Sequence, residues 1–233
     1  AVFNAIPLTF DGKFLDDFDS GPKSSWSDVQ SSPLDDRLWE AENGKYQLKS
    51  SGDSQINLNG CTQLKNYEIT VNIQKNDNHN TDDFFSLIVR SQASNEAGDS
   101  LAYYSAEVVC FSCDGTDSND HRYLFRLVGR NGQNQLINTL ASINLEPAEF
   151  PFDTGEDYSL KVSVIDDKLI AKFWKSSEPE PADDPDETEE ADDTLEVESN
   201  GRAITTSSSE LDRGNFGLST NTNKNNFDNV VLF

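Results

Sequence analysis

Tyr158-Ser-Leu-Lys-Val-Ser-Val-Ile165, Asp166-Asp167, Lys168-Leu-Ile-Ala-Lys-Phe-Trp-Lys175 is the stretch from which the rest of the chain can be read. Tyr158, Leu160, Val162 and Val164 alternate with Ser159, Lys161 and Ser163. Successive side chains of a strand point to opposite faces, so this period of two describes a strand with one buried and one wet face. The Asp166-Asp167 pair then reverses the chain directly into 168–175, which makes the two runs a hairpin. Working outward, short segments of the same kind recur at 45–49, 67–74, 84–91, 103–111, 123–129, 135–142, 215–220 and 227–233. Polar links such as 76–83, 114–120 and 129–134 supply the turns between them. No stretch carries a sustained helical stripe, so the expected fold is all-β, two antiparallel sheets packed as a sandwich.

Charge narrows the partners. The chain has 18 basic and 42 acidic side chains, a formal net charge of −24, so its field has the wrong sign for nucleic acid or an anionic membrane surface. Its 14 Phe, 6 Tyr and 3 Trp are enough large side chains for a core despite a hydrophobic share of 35%. The length suits a single sandwich domain over residues 1–233. No apolar run approaches the roughly 18 residues of a membrane-spanning helix, so no membrane insertion is expected. The chain starts at Ala1 and contains no Met, which reads as a processed or excised piece of a larger protein with adjoining domains.

One segment departs from this composition. Residues 176–200 hold 12 acids, no base and three prolines, too little apolar surface to bury. It is expected to be a mobile acidic loop inserted between late strands, either a solvating insertion or a segment responsive to calcium or a partner. The remainder still has 30 acids against 18 bases, a charge of −12. Cys110-Phe-Ser-Cys113 has a C-x-x-C spacing open to three readings: a redox pair, half a zinc site or a local disulfide, with Cys61 left over. His79 and His121 lie among Asp, Asn and Gly and are expected at the surface.

The C-terminal run Arg213-Gly-Asn-Phe-Gly217-Leu-Ser-Thr followed by Phe227-Asp-Asn-Val-Val-Leu-Phe233 resembles the closing strands of bacterial concanavalin A-like jelly rolls, the laminin-G-like and family-sixteen-glucanase-like sandwiches. Asp16-Asp-Phe-Asp19 with Trp26 resembles the opening of that family, and Trp39 with Asn43-Gly-Lys-Tyr-Gln-Leu48 resembles its next strand. Phe85 to Arg90, Asp157 to Ile165 and Lys172 to Pro179 resemble later strands in the same order, so the likeness spans nearly the whole chain. It implies a jelly roll with one concave surface, ligands lying across that surface or its rim loops. It also implies one structural calcium between the opening segment, the Asn-Gly-Lys turn and the final strand. Those positions are Asp17 or Asp19, Gly44 and Asp228.

The chemistry on the strands favours binding over catalysis. A glycosidase needs two carboxyl groups at a fixed separation, and the strand-borne E-x-D-x-x-E run of the glucanase-like enzymes is missing; Glu190-Ala-Asp192 lies in the acidic tract. Sugar binding needs aromatic faces and fixed polar groups. Tyr103, Tyr104, Glu107, Arg90 and Arg126 fall on three consecutive expected strands and are the candidate ligand residues. Parity puts Phe85, Leu87 and Val89 inward with Ser86, Ile88 and Arg90 outward, groups Tyr103, Ser105 and Glu107, and leaves Arg126 unassigned. Arg90 is alternatively a salt-bridge partner of Glu107, and Trp39 and Trp174 are read as packing. The expected function is a secreted or cell-surface, non-catalytic module that binds a polysaccharide or other glycan or acts in adhesion. A glycoside-processing enzyme of the same fold is the alternative, and a structural spacer the third.

Overall fold

The computed structural model describes residues 14–20, 22, 26–29, 39–49, 55–59, 64–92, 101–113, 121–131, 134–147, 150–183 and 201–233. Among the described residues fifteen strands follow in order: β1 (Phe14–Asp16), β2 (Trp26–Val29), β3 (Trp39–Glu42), β4 (Lys45–Leu48), β5 (Gln55–Asn59), β6 (Tyr67–Lys75), β7 (Phe84–Ser91) and β8 (Leu101–Ser112). They continue as β9 (Arg122–Asn131), β10 (Leu136–Leu145), β11 (Asp157–Ile165), β12 (Lys168–Lys175), β13 (Arg202–Ser207), β14 (Asn215–Thr220) and β15 (Asn225–Leu232). All pair antiparallel. The first sheet runs β13-β12-β11-β6-β15-β4-β3, with β1 also on β15; the second runs β10-β9-β8-β7-β14-β5-β2. Among the described residues no helix is long and apolar enough to cross a membrane.

The opening hairpin is formed as its alternation requires. Tyr158, Leu160, Val162 and Val164 are buried, and Ile165 pairs with Lys168 across an Asp166-Asp167 turn whose Asp166 has φ +51°. Asn43 and Gly44, at φ +53° and +73°, make the matching two-residue turn between β3 and β4, the geometry a right-handed twist favours in tight hairpins. The inner faces of the two sheets meet in one core: Phe173 of the first sheet lies 5.7 Å from Phe85 and 6.0 Å from Phe125 of the second, ring centre to ring centre. Trp39 stacks on Tyr46 at 5.1 Å, and Trp26 packs edge-on against Phe216 at 5.7 Å, its indole N–H donating to buried Asp16 at 2.9 Å.

The histidines depart from expectation. His79 and His121 are both buried. His79 Nε2 meets Asn225 Oδ1 at 2.9 Å, and its ring lies 5.7 and 5.8 Å from those of Tyr123 and Phe152. Its link is polar in sequence yet folds over the end of the core, so burial pushes the imidazole down to about 3. Cys110 and Cys113 form a disulfide, the local pairing among the three readings of the motif. Cys61 and the 114–120 loop lie outside the described residues. At the start of the acidic segment Glu180 and Asp183 are ion-paired to strand lysines. Residues 184–200 lie outside the described ones.

Candidate functional site

Strands β7, β8 and β9 run side by side in the second sheet, and their register sets which side chains share its outer face. Ser86 is opposite Glu107, Glu107 opposite Arg126, and Tyr103 opposite Arg130. Inward go Phe85, Leu87, Tyr104, Ala106, Phe125 and Leu127, all within the core. The outer face therefore carries Ser86, Ile88, Tyr103, Ser105, Glu107, Arg126 and Val128. Arg126, which parity alone left open, is assigned by the burial of its neighbours Phe125 and Leu127.

Glu107 is the centre of this face. Its Oε2 accepts from Arg126 Nε at 3.0 Å, Arg126 Nη2 at 2.9 Å and Arg130 Nη2 at 2.8 Å, while Oε1 accepts from Arg130 Nε. Arg130 Nη1 donates to the carbonyl of Asn134 at 2.6 Å, and the Tyr103 hydroxyl donates to Asn134 Oδ1. One carboxylate held by two guanidiniums is a strong arrangement, because each fork is charge-assisted. It leaves the cluster with one net positive charge, and among the described residues the bonds of Arg126 run through Nε and Nη2 and not Nη1. Arg126 is the most open member, with 18% of its side chain exposed against 1% for Glu107. Beside Glu107 the hydroxyls of Ser86 and Ser105 are buried without a hydrogen-bond partner. Arg130 was not singled out in the sequence; its signal was the spacing of four from Arg126, but a strand puts i and i+4 on one face only when the strand itself is certain.

Two of the five ligand candidates are not on this face. Arg90 lies at a bulge: β14 spans Asn215 to Gly217 where β7 spans Ser91 to Ile88, and Arg90 takes φ +51°. The extra residue breaks the alternation, so the side chain leaves the outer row and is fully buried. Its guanidinium donates to the carbonyls of Leu211 at 2.9 Å, Lys65 at 3.4 Å and Asp166, and its N–H donates to Tyr67 Oη at 2.9 Å. It clasps the β11–β12 turn and forms no ion pair with Glu107. Tyr104 points the other way from Tyr103 into the core, where its hydroxyl meets Ser208 Oγ at 2.6 Å and accepts from the Leu211 N–H at 3.2 Å. Adjacent residues of a strand cannot share a face.

The positions expected to hold calcium lie at the edge of the first sheet. A side-chain carbon built on Gly44 would strike the Asp19 carboxylate, so that carboxylate rests directly over the glycine. Asp228 Oδ1 accepts from the Asn229 N–H at 2.7 Å. Burial, with Asp19 and Asp157 nearby, pushes its carboxyl above the ordinary range. Asp17 is exposed and its Oδ1 accepts weakly from the Asp19 N–H at 3.4 Å. Next to Asp228 a polar hollow of about 110 Å³ is lined by Lys45, Asn72, Gln74, Asp157 and Asn226. No three carboxylate, imidazole or thiol groups converge on one point among the described residues.

The strand order and the face-to-face packing decide the architecture. The fold is a concanavalin A-like jelly roll. Similar solved structures include the carbohydrate-binding module CBM66 from Bacillus subtilis, 18% identical with a TM-score of 0.53, covering 88% of this chain and 93% of that one. The CBM2 module of the evolved Dit of Lactobacillus casei BL23 phage J-1 is 11% identical with a TM-score of 0.59, over 94% of this chain and 93% of that one. The exoplasmic/lumenal domain of VIP36, in a form with Ca2+ and Man3GlcNAc bound, is 11% identical with a TM-score of 0.55, over 95% and 87%. No protein-family model matches the jelly roll described here, and no curated protein matches its sequence. At these identities the likeness establishes the fold.

Proposed function

We propose that this jelly roll is a non-catalytic carbohydrate-binding or adhesion module, secreted or displayed at a cell surface, with Tyr103, Glu107, Arg126 and Arg130 forming its sugar-binding centre. The observation that carries the reading is the Glu107 carboxylate fixed by two guanidiniums, with Arg126 the member of the cluster that reaches solvent. Such groups are held rigidly on strands, and Arg126 Nη1 remains as a donor for a ring hydroxyl, the kind of prearranged polar contact that orients a sugar. The carbohydrate-binding names of the similar structures support the same class of ligand. Glu107 is the single acidic residue in β7, β8 and β9, so no second carboxylate on these strands faces it for the acid and base roles of glycoside cleavage. Neighbouring domains of a larger protein would complete the assembly.

Calcium is the proposed structural ion of this module, held by Asp19 and Asp228 with backbone oxygens around the Gly44 turn. The residues suit a hard cation: the Asp19 carboxylate lies over Gly44 at a turn where only glycine leaves room, Asp228 is near enough to feel its charge, and backbone carbonyls would supply the further oxygens such an ion takes. Binding there would tie β1 and the β3–β4 turn to the final strand.

A glycan array read in parallel with a reducing-sugar release assay tests the reading. The expected result is retention of at least one glycan class without hydrolysis, weakened by about tenfold or more in Arg126→Ala, the scale of one lost charge-assisted contact. Release of reducing sugar would overturn the non-catalytic assignment, and glycan binding unaffected by Arg126→Ala would place the site elsewhere.

A further inference from the structure

Lys161 and Lys172 are directly opposite one another on β11 and β12. Like charges so placed in an antiparallel pair repel, and here they occur in a chain with only 18 bases against 42 acids. What lies between them is the root of the acidic tract. Glu180 Oε1 is 2.8 Å from Lys172 Nζ and 3.2 Å from Lys161 Nζ, so one carboxylate bridges both ammonium groups. Asp183 Oδ1 is 2.6 Å from Lys172, and Glu68 Oε2, on the neighbouring strand β6, is 3.1 Å from Lys161. Glu68 is steadied by the Ser163 hydroxyl, which donates to Oε1 at 2.7 Å. Lys172 has 8% of its side chain exposed and Lys161 16%, whereas Glu180 and Asp183 have 38% and 64%, so the lysines sit within the sheet face and salt reaches the pairs from the acidic side. Burial works against the charge on Lys172, yet its bonds to Asp183 and Glu180 outweigh it and raise its affinity for the proton.

We propose that the Lys161–Lys172 pair is a docking surface for an acidic peptide segment, and that its occupant is this chain's own segment from Glu178 to Asp183. The segment leaves β12 only a few residues earlier, at Lys175, so its effective concentration at the lysines is far above that of any separate peptide. Docking holds the start of the tract on the outer face of the first sheet, on the opposite side of the sandwich from Glu107. The hold is electrostatic and therefore set by ionic strength: the Debye length falls from roughly 30 Å at 0.01 M salt to roughly 3 Å at 1 M.

Acylation of lysine amines in the folded full chain, followed residue by residue by mass spectrometry, tests this. Exposed Lys49 serves as the reference and a melting curve confirms folding of each variant. Wild type is expected to label slowly at Lys161 and Lys172 in low salt and several-fold faster in high salt. Glu180→Gln should release both lysines, Asp183→Asn only Lys172, and Glu68→Gln only Lys161. Unchanged labelling in Glu180→Gln, or an equal rise at Lys49, would overturn the docking. Protection that grows with protein concentration would overturn the assignment of the occupant to the same chain.

Discussion

Arg90→Met replaces the buried clasp of the β11–β12 turn by a side chain of similar length with no donor. The guanidinium serves three carbonyls, and each hydrogen bond from a charged group contributes about 1.5–3 kcal/mol. The carbonyls of Lys65 and Asp166 belong to exposed residues that water can reach, whereas Leu211 is buried, so its carbonyl loses its partner outright. Removing a buried charge recovers part of the desolvation cost, and the expected net loss is about 3 kcal/mol. For a chain of this size that corresponds to a fall in Tm of about 6–12 °C, measurable by calorimetry. The backbone gives a second check. At φ +51° a side chain costs roughly 1–2 kcal/mol, so Arg90→Gly should be more stable than Arg90→Ala by about 1 kcal/mol, the reverse of the usual order in a strand. An Arg90→Met protein that melts within about 2 °C of wild type but has lost glycan binding would refute the clasp and return Arg90 to the ligand face.

Glu107→Gln keeps the shape of the cluster but leaves two guanidiniums facing each other. A loss of about 3 kcal/mol is expected in urea unfolding, and combining it with Arg130→Met should cost less than the two changes summed. Gly44→Ala, which drives a methyl into the Asp19 carboxylate at φ +73°, should lower the Tm and, like Asp228→Asn, blunt its response to a chelator. In wild type, calcium at about a hundred times its dissociation constant should add about 3 kcal/mol, and a melting point indifferent to chelator would rule the ion out. His79 titrates near 6.5 when unfolded but is pushed down to about 3 in the fold, burial being the main cause. Its contribution is complete above pH 6.5 and fades as pH falls toward 3. Wild type should therefore lose about 2 kcal/mol more than His79→Gln between pH 7 and pH 5; equal losses would show that the ring is protonated in the fold.

The period of two in 158–165, the Asp-Asp turn and the polar links determined an all-β sandwich, because strand alternation and turn chemistry are local properties that survive without knowledge of partners. The same local rule grouped Tyr103 with Glu107 and set Ser86 and Ile88 on one face. It failed at Arg90, where a bulge formed against β14, some 125 residues further along the chain, shifts one residue out of phase. It could not bring in Arg130, whose place depends on which residue of β8 it faces. His79 looked like a surface residue because its neighbours are polar, but Asn225, at the start of β15, closes over it. The acidic run of 176–183 was legible as charge, while its seat on Lys161 and Lys172 was not. Composition fixes how many acids and bases a chain has; only the register of strands distant in sequence decides which of them meet, and how much water is left between them.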